Sequence, residues 1–246
     1  MNLENVTIVL NRPKFAGNVG SVARCAKNMG IKRLVVVGNR TLAQDEVRQM
    51  ATHFADDVVQ GIRHCDRLED ALADFEYVVG TTGRKGAARG PFITPRRIAE
   101  VLRDISRNNE VALLFGSEDS GLTNADLRLC QAVVAIPTAG FKSLNLSHAV
   151  MILCYELFVA AGETPAGFHP RLASSQEVEG MYRHLQEVLS ELGFLNPQNP
   201  DYWMTHIRRL LSRTTLQSQE VKIIRGICRQ ITWYVGQQRG EGVKKT

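Results

Sequence analysis

The run Val111-Ala112-Leu113-Leu114-Phe115-Gly116-Ser117-Glu118-Asp119-Ser120-Gly121-Leu122-Thr123 carries the pattern that decides the fold class. Its first five residues are an apolar run of strand length, and Gly116 ends that run at a polar turn. The turn contains two carboxylates and closes at Gly121. An acidic turn at the carboxyl end of a strand suits the hydroxyl or amine donors of a weakly anionic ligand. We therefore expect a strand that ends in a binding loop.

The same turn has the outline of a phosphate-binding loop, G-x-x-x-x-G-x-T. In that motif a lysine contacts the phosphates, but here Leu122 occupies its position. Glu118 and Asp119 would also repel a triphosphate. A nucleoside triphosphatase is therefore not indicated.

On both sides of this strand, apolar runs alternate with amphipathic stretches over residues 1–165. This alternation is typical of a mostly parallel sheet covered by helices, an α/β fold. The predicted strands are Val6–Leu10, Arg33–Val37, Tyr77–Gly80, Val111–Phe115 and Val133–Ile136. The predicted helices are Asn18–Met29, Gln44–Thr52, Pro95–Ser106, Asn124–Leu129 and Leu146 to about Ala160.

The strand pattern stops at residues 162–170, which are rich in Gly and Pro, as linkers are. Three stripes with helical period follow, so we expect residues 166–246 to form a small all-helical extension. This part holds 11 Lys and Arg against 7 Asp and Glu, whereas residues 1–165 hold 19 against 18. The positive excess is what a region that meets a polyanion would show, although a solvated helical surface would look the same.

Composition and residue spacing argue against a membrane or secreted protein, a disulfide framework and a metal site. No stretch reaches the ~18 apolar residues of a membrane span, and the first residues lack a signal-peptide pattern, so we expect a cytoplasmic protein without membrane contact. The five cysteines form no C-x-x-C pair, and the six histidines form no ligand-like cluster. Neither a disulfide framework nor a metal site is indicated.

Two further segments combine glycine with polar residues next to predicted strands. The segment 17–24, GNVGSVAR, follows the first strand but lacks G-x-G-x-x-G spacing, so a nucleotide-dependent oxidoreductase is disfavoured. Its Arg24 falls on the first helix, where it could face a ligand or simply solvent. The segment 136–146, IPTAGFKSLNL, opens the last helix of this region, with Ser143 and Asn145 near the cap. No G-x-S-x-G elbow of a hydrolase is present.

Taken together, and in this order, the three segments resemble the signature motifs of the SPOUT methyltransferases, over roughly residues 4–160. Asn18, Gly20 and Arg24 match the N-x-G-x-x-x-R element, and Ser143, Leu144 and Asn145 match S-L-N. The F-G-x-E-x-x-G-L element is matched by Phe115, Gly116, Glu118, Gly121 and Leu122. The short stretch of chain before the first motif and the helical extension after the third resemble those of the TrmJ group of this family.

The resemblance implies a trefoil-knotted domain and S-adenosylmethionine-dependent methylation of a ribose 2′-oxygen. For the TrmJ group, the substrate would be tRNA, at the anticodon-loop nucleotide two residues upstream of the anticodon. The implied cofactor-binding residues are Thr81, Thr82, Gly83, Gly116, Ile136, Ser143, Leu144 and Asn145. The family also implies a homodimer in which the motif Arg of one subunit faces the cofactor of the other, and it requires no metal.

In this family Arg24 matches the residue that acts on the reacting hydroxyl, in some accounts as a general base. A guanidinium has a pKa above ~12, so we favour a donor that binds the adjacent phosphate and stabilises the developing alkoxide. Ser143 or a water molecule would then relay the proton. The extension would hold tRNA through Arg208, Arg209, Arg213, Lys222, Arg225 and Arg229. The alternatives are another tRNA position, ribosomal RNA, or a non-catalytic RNA-binding protein.

Overall fold

The computed structural model describes residues 1–38, 42–83, 92–139, 143–162, 171–196, 198–213 and 215–238. The chain forms two compact units, Met1–Pro170 and Arg171–Thr246. The boundary predicted at residue 165 falls among residues 163–170, which lie outside the described residues.

The first unit is built on a parallel six-stranded sheet in the order β3-β2-β1-β5-β4-β6. Its strands are β1 Val6–Asn11, β2 Arg33–Val37, β3 Arg63–Cys65, β4 Tyr77–Thr81, β5 Val111–Phe115 and β6 Ala132–Val134. Leu10 pairs with Phe115 and Gly80 with Leu114, so β1, β5 and β4 end at the same edge. The three loops that leave this edge therefore start side by side.

In the described residues of this unit, seven α-helices accompany the sheet, and two short 3-10 turns lie at Leu3–Asn5 and His53–Ala55. The helices are α1 Ala16–Asn28, α2 Gln44–Ala51, α3 Asp56–Gln60, α4 Leu68–Leu72, α5 Pro95–Ile105, α6 Asn124–Leu127 and α7 Leu146–Ala161. The helix start signals are local: the Thr94 side chain caps α5 before Pro95, and Thr123 forms a capping box with Asp126 at α6. The predicted α/β class is confirmed.

Helix α1 lies close against α2 because Gly20 has no side chain. A Cβ built on Gly20 would lie 2.1 Å from the carbonyl oxygen of Val47. Such an approach is possible only for glycine. Gly20 therefore fixes the packing of α1, the helix that carries Arg24.

Several predicted boundaries were wrong. Strand β6 ends at Val134, so Ile136 follows the strand instead of ending it. Strand β3 and helices α3 and α4 were not predicted, because elements of three to five residues are too short to show a period. The chain threading that a knot requires would pass near the third motif, where residues 140–142 lie outside the described residues, so the knot stays a prediction.

The second unit is helical, as predicted, and its described residues form α8 Ser175–Glu191, α9 Pro200–Leu211 and α10 Ser218–Gln238. Its core contains Met181, Tyr182, Leu195, Met204 and Val221. Ser174 and Glu177 form a capping box at α8, and the Ser218 hydroxyl donates to Glu177 at 3.0 Å, which joins the starts of α8 and α10. No helix in the described part of either unit is long and apolar enough to cross a membrane.

Candidate active site

A cavity of about 470 Å³ lies at the edge where β4, β5 and β6 end. This size is in the range of small-molecule pockets. Four segments line it: Thr81–Gly83 after β4, the loop Phe115–Leu122 after β5, Val134 and Ile136, and the approach to α7 with Ser143, Leu144, Leu146 and Ala149. Of the eight residues predicted to hold the cofactor, all but Asn145 are on this wall.

The β5 loop folds back tightly on itself at two glycines. Gly121 has φ +64°, and its N–H donates to the Ser117 carbonyl at 2.8 Å. A Cβ on Gly116 would lie 2.1 Å from the carbonyl carbon of Gly121 and 2.3 Å from the Leu122 nitrogen. The side chain of Leu122 is buried in the core behind the loop. The loop can therefore close only with glycine at 116.

The two carboxylates of the loop contact the protein itself. Glu118 accepts hydrogen bonds from the Lys14 N–H at 2.8 Å and the Asn18 amide at 2.9 Å. Asp119 forms an ion pair with Lys14 and accepts from the Ser117 hydroxyl at 2.9 Å. The Lys14 ammonium, helped by that hydroxyl, holds the pKa of Asp119 well below its usual range. Both carboxylates line the cavity while contacting the protein itself, and their contact with a ligand stays a prediction.

A chain of hydrogen bonds joins the three predicted motifs. The Asn18 amide donates to Glu118, and its oxygen accepts from the Asn145 amide at 3.0 Å. The Asn145 oxygen accepts from the backbone N–H of Ser147 at 2.9 Å and from its hydroxyl at 2.7 Å, which caps α7. Asn145 thus fixes the start of α7 next to the cavity. Lys14, which completes the Glu118 contacts, was missed because no local pattern links residues about a hundred positions apart.

Replacing Glu118 should loosen the start of α1. In Glu118→Ala the Lys14 N–H and the Asn18 amide lose their charged acceptor, which should lower the free energy of unfolding by about 1–3 kcal/mol. Chemical denaturation of the two proteins measures this difference. Asp119→Ala is the matched control, because its exposed ion pair should contribute no more than about 1 kcal/mol. Equal stabilities of Glu118→Ala and wild type would contradict the anchoring role.

Arg24 is exposed on α1, and it does not line the cavity of its own chain. Within the described ranges its side chain has no hydrogen-bond or ion-pair partner. The structure therefore brings together the second and third motifs and Asn18, but not Arg24. Among the described residues of one chain, no contact requires an arginine at this position.

The predicted RNA-binding residues of the second unit fall into two groups. Arg209, Arg213, Lys222, Arg225 and Arg229 are exposed. Arg208 is half-buried: its guanidinium donates two hydrogen bonds to Glu179, at 2.6 and 2.8 Å, and lies 4.2 Å from the centre of the Tyr182 ring. Its charge is compensated inside the unit by Glu179, and an RNA contact of Arg208 stays a prediction.

The described residues contain no group of three His, Cys, Asp or Glu side chains that could hold a metal ion. The cysteines that the structure describes, all five of them, are free thiols.

Comparison with known proteins assigns both units. Residues 5–155 match the SpoU rRNA Methylase family, and residues 176–242 match the C-terminal domain of tRNA methyltransferase TrmJ. A tRNA (cytidine/uridine/adenosine-2′-O-)-methyltransferase TrmJ of Pseudomonas aeruginosa is 36% identical over 92% of this chain and 93% of its own. A tRNA (cytidine/uridine-2′-O-)-methyltransferase TrmJ of Yersinia enterocolitica is 35% identical over 93% and 92%.

Solved structures agree with this assignment. The crystal structure of TrmJ from Z. mobilis ZM4 superposes with a TM-score of 0.78 at 29% identity, covering 92% of this chain and 98% of that one. A probable methylase family protein from Haemophilus influenzae has a TM-score of 0.62 at 27% identity, covering 96% and 100%. The motif-bearing sheet unit and the helical unit therefore both have counterparts in the same relatives, and the chain belongs to the SpoU rRNA Methylase family, in its TrmJ group.

Proposed function

We propose that this protein methylates the ribose 2′-oxygen of a cytidine or uridine in tRNA, with S-adenosylmethionine as methyl donor, in the cytoplasm. The target would be the anticodon-loop nucleotide two residues upstream of the anticodon. The proposal rests on one observation above all: the loops after β4, β5 and β6 and the start of α7 converge on one cavity, and a hydrogen-bond chain from Glu118 to Ser147 fixes two of them.

The cavity fits such a donor. Its volume suits a nucleoside-sized molecule, and the Gly116 turn brings backbone, with no side chain at that position, to the wall. Thr81, Thr82, Gly83, Gly116 and Ile136 would hold the molecule together with Ser143, Leu144 and Asn145, the last by fixing the cap of α7. S-adenosylmethionine would supply a methyl group on a sulfonium, which needs no metal for its transfer.

The remaining tasks are to orient the ribose and to remove its proton. Ser143 is exposed at the cavity wall and can accept or relay a proton. Arg24 would bind the phosphate next to the ribose and stabilise negative charge on the 2′-oxygen. Because Arg24 does not line the cavity of its own chain, we propose that it serves the site of a second copy.

A twofold dimer would make that exchange reciprocal. Helix α7 packs against α1 and exposes Tyr155, Phe158 and Val159, each large and apolar. These three side chains are our candidates for the dimer interface.

Methyl transfer to defined transcripts tests the function. With radiolabelled S-adenosylmethionine, an unmodified tRNA should gain one 2′-O-methyl group in the anticodon loop, located by mass spectrometry of nuclease fragments. The matched control is the same tRNA with a 2′-deoxynucleotide at the target, which lacks the acceptor oxygen and should gain none. A methyl group on a base, methylation of ribosomal RNA alone, or tRNA binding without any transfer would contradict the proposal.

We expect the second unit to hold tRNA through its exposed cations. Each phosphate contact releases counterions, so the double variant Arg225→Ala/Arg229→Ala should bind tRNA more weakly and with a salt dependence reduced by roughly one unit of log–log slope per lost contact. Filter binding at a series of salt concentrations measures both effects. The double Lys variant keeps the charges and should keep the slope. An unchanged slope in the Ala variant would exclude these two residues as phosphate contacts.

A further inference from the structure

The surface of α9 and of the turn before it carries a cluster of exposed rings. Phe194, Tyr202 and Trp203 are 54%, 55% and 45% exposed, and His206 is exposed as well. The Trp203 ring centre lies 5.7 Å from that of Phe194 and 5.6 Å from that of Tyr202, and the Tyr202 ring lies 4.7 Å from that of His206. We call these four residues the ring cluster.

Packing of the second unit does not account for the ring cluster. The buried core of the unit is made by other side chains, among them Met181, Leu195 and Met204. Rings that only filled space would be buried, whereas here about half of each large ring is open to solvent. Contiguous exposed aromatic surface of this kind marks a binding site more often than a structural requirement.

Basic side chains continue the ring cluster along α9. Tyr202, His206, Arg209 and Arg213 follow one another at spacings of four, three and four residues, which places them on one face of the helix and its C-terminal turn. From Tyr202 to Arg209 this face extends about 10 Å. In the described part of the chain, neither arginine has an ion-pair partner, in contrast to the neighbouring Arg208. The face is therefore aromatic at one end and cationic at the other.

We propose that this face of α9, together with the adjoining Trp203 ring, binds unpaired nucleotides of the tRNA, with bases stacked on Tyr202 and Trp203 and phosphates held by Arg209 and Arg213. Flat rings flanked by cations are the surface that single-stranded nucleic acids use, because every base has a π-face and every linkage carries a negative charge. A protein partner would gain from the rings but would have to compensate both arginines. The inference rests on the proposed function, since it assigns a part of the same substrate to this surface.

Intrinsic fluorescence gives a direct test in the full-length protein, since the chain has two tryptophans. Trp233→Phe leaves Trp203 as the single emitter, and Trp203→Phe leaves Trp233 as its matched control, also about half exposed. A short pyrimidine-rich single-stranded RNA should quench Trp203 saturably. The same sequence in a duplex should quench it much less, because its bases are already stacked. Binding is followed independently by the anisotropy of a labelled RNA, without any methyl donor.

The affinity of variants provides the second readout. Tyr202→Ala should weaken binding of the single-stranded RNA by about five- to hundredfold, whereas Tyr202→Phe keeps the ring and should bind as wild type does. Trp233→Ala, which removes an equally exposed ring from α10, should have little effect. Circular dichroism establishes that each variant is folded, and the quenching of Trp203 tests the inference should Tyr202→Ala lose structure.

Binding of single-stranded RNA or tRNA with unchanged Trp203 emission would overturn this inference and leave the proposed function standing. Equal quenching by single-stranded and duplex RNA would also overturn it. Trp203 emission that changes with protein concentration alone would instead identify the ring cluster as a contact between copies. If the protein bound no tRNA at all, the proposed function itself would fail.

Discussion

Arg24→Ala should lower the rate of methyl transfer by about 10²–10³, because it removes a preorganised donor at a site where negative charge develops. Folding and S-adenosylmethionine affinity should be unchanged, since Arg24 is exposed on α1 and does not line the cavity of its own chain. Single-turnover rates with saturating tRNA measure the loss. Calorimetric titration with the methyl donor establishes that the cavity is intact.

Two further variants define what Arg24 contributes. Arg24→Lys keeps the charge but not the planar fork of donors, and we expect little rescue. Lys27→Ala removes another exposed cation, one turn further along α1, where it pairs with Asp57 at 2.5 Å, and it should leave the rate nearly unchanged. Strong rescue by Lys would indicate a simple point charge. A near-normal rate in Arg24→Ala would eliminate the catalytic assignment.

Mixing two inactive variants tests whether Arg24 acts in a partner's site. Ile136→Trp fills the cavity from a residue that follows β6 and should abolish binding of the methyl donor. If a twofold dimer shares its sites, a mixed dimer of Arg24→Ala and Ile136→Trp subunits has one intact site, and random mixing should restore about a quarter of wild-type activity. No restoration, despite exchange of subunits shown by mass spectrometry, would place Arg24 in its own chain's site.

Gly116→Ala should abolish S-adenosylmethionine binding, the second of the large effects. The added Cβ would lie 2.1 Å from the carbonyl carbon of Gly121 and 2.3 Å from the Leu122 nitrogen, and backbone atoms cannot move aside as a flexible side chain can. The loop must therefore open, which should distort the cavity wall and lower the free energy of unfolding by about 1–3 kcal/mol. Calorimetric titration and chemical denaturation measure the two effects.

Gly121→Ala is the matched control in the same loop. No atom lies within 4 Å of a Cβ at this position, so the only penalty is the left-handed backbone at φ +64°, about 1–2 kcal/mol. Gly121→Asn should be milder, because asparagine tolerates that conformation better. If the affinity for S-adenosylmethionine fell as far in Gly121→Ala as in Gly116→Ala, backbone strain and not the collision with Gly121 and Leu122 would control this loop.

Local patterns were sufficient for much of the fold. Strands β2 and β5 have the predicted bounds, and α5 begins at the Pro95 start signal. These strand bounds and this helix start depend on side-chain preferences and hydrogen bonds within a few residues, which a sequence displays directly. Strand β3 could not be found this way, because Arg63 and His64 are exposed and the strand exists through its pairing with β2.

For the candidate site, too, some features follow from the sequence and others only from the tertiary structure. The sequence by itself identified the segments that the structure joins at the cavity, since glycine at a turn and asparagine at a helix cap are needed for local backbone reasons. Only the tertiary structure decided what their side chains do: Glu118 binds the start of α1, Arg208 is neutralised by Glu179, and Arg24 lies away from its own cavity. These roles are set by contacts between residues far apart along the chain, and electrostatic and hydrogen-bond energies depend on distances of a few ångströms that no local spacing encodes.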